Sequence, residues 1–275
     1  TSAAIADAPR SSSAGATMAD GSPTPTRRAA TPRTRRLDLA AAGPAPEDLL
    51  RTALREAHPG ATALVSSFGA DSAVLLHMVA RIDRTTPVLF LETGMLFPET
   101  LAYQRDLAAD LGLTDVRLIR PEPADLAAAD PDGTLNARDA DGCCALRKTR
   151  PLDRALAGFE AWITGRRRAQ ARTRAGMARV EEEPGTGRVK LNPLADWGAA
   201  DIRAYMDAHA LPRHPLVARG YPSIGCAPCT SPVTEGEDPR AGRWRGREKT
   251  ECGIHFDGTG RVRRAPSDPS DRLSG

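Results

Sequence analysis

Residues 61–81 run ATALVSSFGADSAVLLHMVAR, which is three kinds of segment in a row. Ala61 to Ser66 is a short, nearly unbroken apolar run of the kind that forms a strand buried on both faces. Ser66 to Ser72 is small and polar. From Ser72 to Arg81 the apolar residues Val74, Leu75, Met78 and Val79 recur at helical spacing and predict an inward face. Strand, tight turn and helix in that order open a βαβ unit.

The same alternation extends outward. Upstream, Glu47 to Ala57 places Leu49, Leu50, Ala53, Leu54 and Ala57 on one helical face, and His58-Pro59-Gly60 ends it. Downstream, strands are predicted at Pro87–Leu91, Val116–Ile119 and Ala161–Thr164. Helices are predicted at Pro98–Leu111, where proline suits the first turn, at Cys144–Leu156 and at Gly198–His209. Short apolar strands alternating with helices predict an α/β fold: a doubly wound, mostly parallel sheet with helices on both faces. Beyond His209 the chain is rich in Pro, Gly and Arg and lacks periodicity, and such long loops are usually functional or mobile.

The 275 residues are 40% hydrophobic, 27% charged and 4% aromatic, which suits one large domain or two small ones. A net charge of +3 is too small to imply a nucleic-acid surface. Six arginines against Asp7 and Asp20 give residues 1–36 a charge of +4, so the remainder sums to −1. That Ala/Ser/Pro/Arg-rich leader cannot bury enough surface to offset its ordering entropy and is expected to be disordered. A transit peptide is the alternative, and Met18 offers an alternative start. Residues 37–232 then form the main domain and residues 233–275 a flexible C-terminal segment. No apolar run approaches a membrane span and no secretory signal is visible, so the expected location is the cytoplasm.

Five features carry candidate chemistry. Ser66, Ser67, Phe68, Gly69, Ala70, Asp71 and Ser72 form a turn between strand and helix, where backbone N–H groups can meet an anion; a plain capped turn is the bland alternative. It lacks the lysine of a Walker loop. Glu92, Thr93 and Gly94 leave the second strand at its carboxyl end, the edge where ligands bind in open parallel sheets. Arg166, Arg167 and Arg168 follow the fourth strand at that same edge, with Arg172 and Arg174 beyond, which favours an anion site over a solvated face. Cys143-Cys144 and Cys226-x-x-Cys229 supply four thiols that suit zinc or an iron–sulfur cluster. Adjacent cysteines bend awkwardly to one zinc atom, which tips the balance toward a cluster. Cys252 stands outside both pairs, flanked by Gly253, His255, Lys249, Arg247 and Arg245, a setting that lowers a thiol pKa and makes a nucleophile; an inert surface thiol is the alternative.

From about Pro46 to His255 the chain resembles the assimilatory adenylyl-sulfate reductases of bacteria, the iron–sulfur type of the PAPS/APS reductase family. These belong to the adenine-nucleotide alpha-hydrolase-like, PP-loop superfamily. The resemblance rests on SSFGADS, LETGMLFPET, CCALRKTRPL, ITGRRR, KLNPLADW, GYPSIGCAPCT, RAGRW and ECGIH, in that order. It implies a two-step, thioredoxin-dependent reaction. The Cys252 thiolate takes the sulfonate from adenylyl sulfate, releasing AMP, and thioredoxin then frees sulfite from the cysteine S-sulfonate. It implies that Cys143, Cys144, Cys226 and Cys229 bind a [4Fe–4S] cluster that passes no electrons to substrate, with Lys148 approaching both cluster and sulfate. It implies that the Ser66–Ser72 and Glu92–Pro98 loops hold the adenosine phosphate and that Arg167 and Arg168 neutralise the phosphosulfate. Arg240, Arg243 and His255 would arrive with the mobile segment that delivers Cys252. Gln usually stands where this chain has Arg166. No thioredoxin-like extension follows Gly275, so a separate reductant is expected, and a homo-oligomer is compatible with all of this.

Three rivals remain at this level, the last a non-enzymatic zinc-binding module that would leave both arginine groups and Cys252 unused. Phosphoadenylyl-sulfate reductases generally lack the two cysteine pairs. ATP-using PP-loop adenylases favour Ser-Gly-Gly-x-Asp-Ser, from which Phe68 and Ala70 depart.

Overall fold

Thr62–Ser66 forms β1, and all five of its residues are buried, as an apolar run enclosed on both faces requires. The computed structural model of the chain describes Leu39, residues 43–251 and Gly253. Around β1 the remaining strands are β2 (Val88–Leu91), β3 (Val116–Ile119), β4 (Ala161–Ile163), β5 (Val180–Glu182) and β6 (Val189–Leu191), in the order β3-β2-β1-β4-β6-β5. Every pairing is parallel except β5 with β6. Leu64 opposes Val88 on one side, and Ala63 opposes Trp162 on the other.

Helices cover both faces. On one, α1 (Pro46–Arg51), α2 (Ser72–Ile82), α3 (Pro98–Asp110) and α8 (Ala199–Ala208) enclose the larger core, with Leu64, Phe90, Ile163 and Leu191 looking up from the strands. On the other, α7 (Arg150–Leu156) places Leu152 and Leu156 against Ala63, Leu89 and Trp162. Between α3 and α7 lie the short α4 (Pro123–Ala129), α5 (Leu135–Arg138) and α6 (Ala140–Cys144).

The predicted strands at β1 to β4 and the helices α2, α3 and α8 match the structure to within a residue or two at each end. Two predicted helices are interrupted. Glu47–Ala57 begins as α1 and continues as a π-helical turn, Thr52–Ala57. Cys144–Leu156 is split by a second π turn, Ala145–Thr149, between α6 and α7. In a regular α-helix the ring of Pro151 would meet the carbonyl of Arg147, and the widened turn relieves that contact.

Strand order reverses at β1, whose neighbours β2 and β4 lie on opposite sides. The crevice outside the carboxyl ends of such strands is where open α/β sheets take ligands. The Ser66–Ser72 loop leaves β1 there, and Thr164–Arg168 leaves β4 there.

Candidate active site

The β1 loop is set by Phe68. This residue has a φ of +47° and is fully buried, its ring edge-on to Phe90 at 5.1 Å. A non-glycine residue in that region costs about 1–3 kcal/mol and persists where its surroundings hold it. Here the Phe68 N–H also donates to Ser66 Oγ at 3.1 Å. The turn then enters α2, with Ser72 N–H on the Gly69 carbonyl at 3.1 Å.

Across the strand reversal, Arg167 comes from the β4 loop and pairs with Asp71. The pair joins the two loops. Burial raises the Asp71 pKa, and the Arg167 charge works against that rise. Arg167 is itself buried, and its pKa is lowered by burial, with Arg174 contributing in the same direction. Arg168 turns elsewhere: its Nε donates to the Met177 carbonyl at 2.7 Å, and it pairs with Asp196. The two arginines therefore do not converge. If this loop holds a nucleotide phosphate, as the resemblance implies, Arg167→Ala should remove charge-assisted contacts worth about 1.5–3 kcal/mol and weaken AMP binding at least about tenfold, read by titration calorimetry. Unchanged affinity would make Arg167 a structural partner of Asp71 alone.

The second loop is tied to the thiols. Glu92 accepts from Gly94 N–H at 2.7 Å and pairs with Arg120 at 2.8 Å, so its carboxylate is already engaged. Thr93 is fully buried, with Oγ1 3.3 Å from Cys226 Sγ. Leu96 forms a bridge with Cys226, and Ala227 N–H donates to the Met95 carbonyl at 2.7 Å. The sheet edge and the CxxC loop are thus stitched together.

Cys143, Cys144, Cys226 and Cys229 line a single pocket together with Arg147, Lys148 and Trp244. None of the four forms a disulfide among the described residues. Burial raises the Cys143 pKa; Arg147 opposes that rise, and Cys226 and Cys229 add to it, which means the pairs lie within electrostatic reach. Among the described residues no group of three or more His, Cys, Asp or Glu side chains is arranged to hold a metal ion. One zinc ion would draw its thiolates to about 2.3 Å from the metal. The four thiols line one common space, and the structure does not by itself choose between a single ion and a cluster there.

Arg147 is the residue that sequence reasoning missed. It lies in the π turn beside Lys148, and its side chain is only 8% exposed. Its Nη2 donates to Asp130 Oδ2 at 2.6 Å, and its Nη1 donates to the Thr93 carbonyl at 2.9 Å. One guanidinium therefore links the β2 loop, the turn after α4 and the cysteine-bearing helix. The signal was a charged residue four positions after Cys143, on the same helical face.

The C-terminal portion folds back onto this region. Trp244 is 3% exposed, and its N–H donates to the Cys229 carbonyl at 3.0 Å. Arg243 lies 4.5 Å above the Trp244 ring and donates through Nη1 to the Ile224 carbonyl at 3.3 Å. Its buried Nε has no hydrogen-bond partner among the described residues, a donor that an anionic ligand would satisfy. Arg240 donates through Nη2 to the Thr250 carbonyl at 2.9 Å and lies 3.9 Å from Glu251. Burial alone would raise the Glu251 pKa. Hydrogen bonds and charge from Arg174, with Arg240 and Arg166, outweigh it and hold the pKa below the usual range. Cys252 and His255 lie outside the described residues.

The phosphoadenosine phosphosulfate reductase domain matches residues 61–232. The adenosine 5'-phosphosulfate reductase of Mesorhizobium japonicum is 55% identical over 213 residues, which is 78% of this chain and 83% of that protein. The phosphoadenosine 5'-phosphosulfate reductase of Gloeobacter violaceus is 42% identical over 217 residues, 77% of this chain and 88% of that protein. Among solved structures, phosphoadenylyl-sulfate reductase from Candida auris in its phosphate complex superposes with a TM-score of 0.60 at 29% identity, covering 74% of this chain and 96% of that one.

Proposed function

This chain belongs to the phosphoadenosine phosphosulfate reductase domain family, and from that premise we propose that it reduces adenylyl sulfate to sulfite and AMP in sulfate assimilation. The observation that carries the choice of substrate is the pocket shared by Cys143, Cys144, Cys226 and Cys229, combined with 55% identity to a protein named for adenylyl sulfate.

In this reading the Cys252 thiolate attacks the sulfur of the substrate. An S–S bond forms, the phosphate–sulfate S–O bond breaks, and AMP leaves with the electron pair. One thiolate of a thioredoxin-type dithiol then attacks Cys252 Sγ, and sulfite departs. The second thiol of the dithiol resolves the mixed disulfide and restores Cys252. The dithiol supplies both electrons.

The chain's own groups prepare that step. Ser66 to Ser72, with Asp71 fixed by Arg167, present backbone N–H groups and a helix start to the nucleotide phosphate. Arg243 offers an unsatisfied buried donor, and Lys148 stands at the pocket wall. His255 follows Cys252 closely enough in sequence to assist its ionisation. Cys143, Cys144, Cys226 and Cys229 would hold a [4Fe–4S] cluster. Bound there, it would join the cysteine helix to the CxxC loop and supply a fixed centre of charge near Lys148.

No described helix is long and apolar enough to cross a membrane. We infer a cytoplasmic enzyme that takes its electrons from thioredoxin, and a homo-oligomer is compatible with that reading.

A second reading, reduction of phosphoadenylyl sulfate, is favoured by the Gloeobacter relative at 42% identity. Steady-state kinetics on the two nucleotides decide between them. Adenylyl sulfate should be preferred by at least about tenfold in kcat/KM, which corresponds to about 1.4 kcal/mol. Equal or reversed constants would move the assignment to the 3′-phosphorylated substrate.

A further inference from the structure

Past Trp244 the chain loses its apolar anchors, because none of residues 245–251 is buried. What holds this stretch on the body is polar. Arg247 Nη1 donates to the Asn136 carbonyl at 2.5 Å, and Lys249 pairs with Asp141, whose side chain is 70% exposed. The Arg247 contact is exposed and contributes little, and although Lys249 is itself covered, its partner carboxylate stands open to water. Glu251 is different. Arg174 donates Nε to Glu251 Oε1 at 2.7 Å and Nη2 to Oε2 at 2.6 Å. Thr173 Oγ1 adds a third donor at 3.3 Å. Both partners are withdrawn from water, Arg174 being 8% and Glu251 18% exposed.

A forked guanidinium–carboxylate contact fixes direction as well as distance. Arg174 stands on the same loop after β4 that carries Arg166 and Arg167, so the contact joins the C-terminal stretch to the nucleotide edge. The chain is tied again one residue beyond position 252, where Thr149 Oγ1 approaches the Gly253 carbonyl at 3.5 Å.

We propose that Arg174 and Glu251 form a latch that docks the C-terminal stretch on the nucleotide-binding loop and thereby positions the adjacent residue 252 for attack. Both are positioning residues. The positioning role rests on the reading of Cys252 as the nucleophile; the docking role does not.

The test uses the full-length protein and the isosteric variant Glu251→Gln, with Arg174→Gln as an independent second variant. The first readout is limited trypsin digestion without nucleotide. Cleavage after Lys249, whose side chain is 8% exposed, requires the stretch to undock and should accelerate about tenfold in both variants, matching the loss of a charged fork. The second is a single turnover with adenylyl sulfate and no reductant. AMP release should slow about tenfold or more while AMP affinity stays within about twofold, since misplacement costs rate without touching the nucleotide. A double variant, Arg174→Glu with Glu251→Arg, should recover part of the protection from trypsin. Wild-type cleavage and wild-type AMP release in both single variants would overturn the latch. So would a fall in AMP affinity parallel to the fall in rate, which would place the pair in the nucleotide site. If wild type itself releases no AMP without reductant, the nucleophile reading and the positioning role fall together, and the trypsin readout still decides the docking role.

Discussion

On the proposed function, Cys252→Ser should bind adenylyl sulfate, keep whatever iron the wild type binds at the four-thiol pocket, and produce no sulfite. The expectation follows from the disposition of thiols. Cys143, Cys144, Cys226 and Cys229 line one pocket, and in sequence Cys252 stands outside both of those pairs. Serine fails for a chemical reason beyond weak nucleophilicity. Transfer of the sulfonate to an oxygen would give a sulfate ester, with sulfur still fully oxidised and no S–S bond for a dithiol to cleave. The variant therefore separates binding from chemistry. AMP affinity by calorimetry and the visible absorbance of anaerobically purified protein should match wild type, while sulfite falls below detection. Residual turnover would assign the nucleophile to another residue.

Arg147→Ala should lower stability by about 3–5 kcal/mol, because truncating one partner of a buried ion pair strands the other. Asp130 is fully withdrawn from solvent and faces Arg147 at 2.6 Å, while its other oxygen accepts from Leu135 N–H at 2.8 Å. Loss of Arg147 also frees the buried Thr93 carbonyl, and with it the support of the loop that touches Cys226. Denaturant unfolding of the purified protein checks the magnitude. Asp130→Asn added to Arg147→Ala removes the stranded charge while retaining the amide oxygen for Leu135, so the double variant should be more stable than the single one. A single variant within about 1 kcal/mol of wild type would show that water reaches Asp130 and that the link among the three segments is dispensable.

The sheet was readable wherever strands are apolar and enclosed. Thr62–Ser66 and Val88–Leu91 announce themselves because every residue faces protein. Val180–Glu182 and Val189–Leu191 were not read, since each has three residues and a charged centre. Lys190 is nonetheless buried, its ammonium 4.8 Å above the Trp162 ring, and burial lowers its pKa to about 8. A cation resting on an aromatic face contributed by the neighbouring strand is invisible to periodicity. The same limit applied to helices: a proline at 151 signals a break, but not that a π turn would absorb it and aim Arg147 inward.

The site was legible as a set of motifs on one sheet edge, and less so in its pairings. The cysteines meet across roughly eighty positions of sequence, as their types suggested. The arginine run divides, Arg167 turning to Asp71 and Arg168 to Asp196, because adjacent residues on an irregular loop need not share a direction. Glu92 spends its carboxylate on Gly94 and Arg120, an engagement that no local pattern announces. Glu251 carries no sequence signal beyond its place beside Cys252, although its partner Arg174 stands in the arginine-rich loop after β4.

The proposed reaction turns on covalent transfer of a sulfonate to one thiol. Anaerobic wild-type protein is incubated with adenylyl sulfate and no reductant, digested, and its peptides weighed by mass spectrometry while AMP is quantified. The peptide containing Cys252 should gain the mass of one SO₃ group, in step with one equivalent of AMP per chain, and lose it when thioredoxin is added. AMP release with no adduct, or an adduct on a peptide containing Cys143, Cys144, Cys226 or Cys229, would contradict the account.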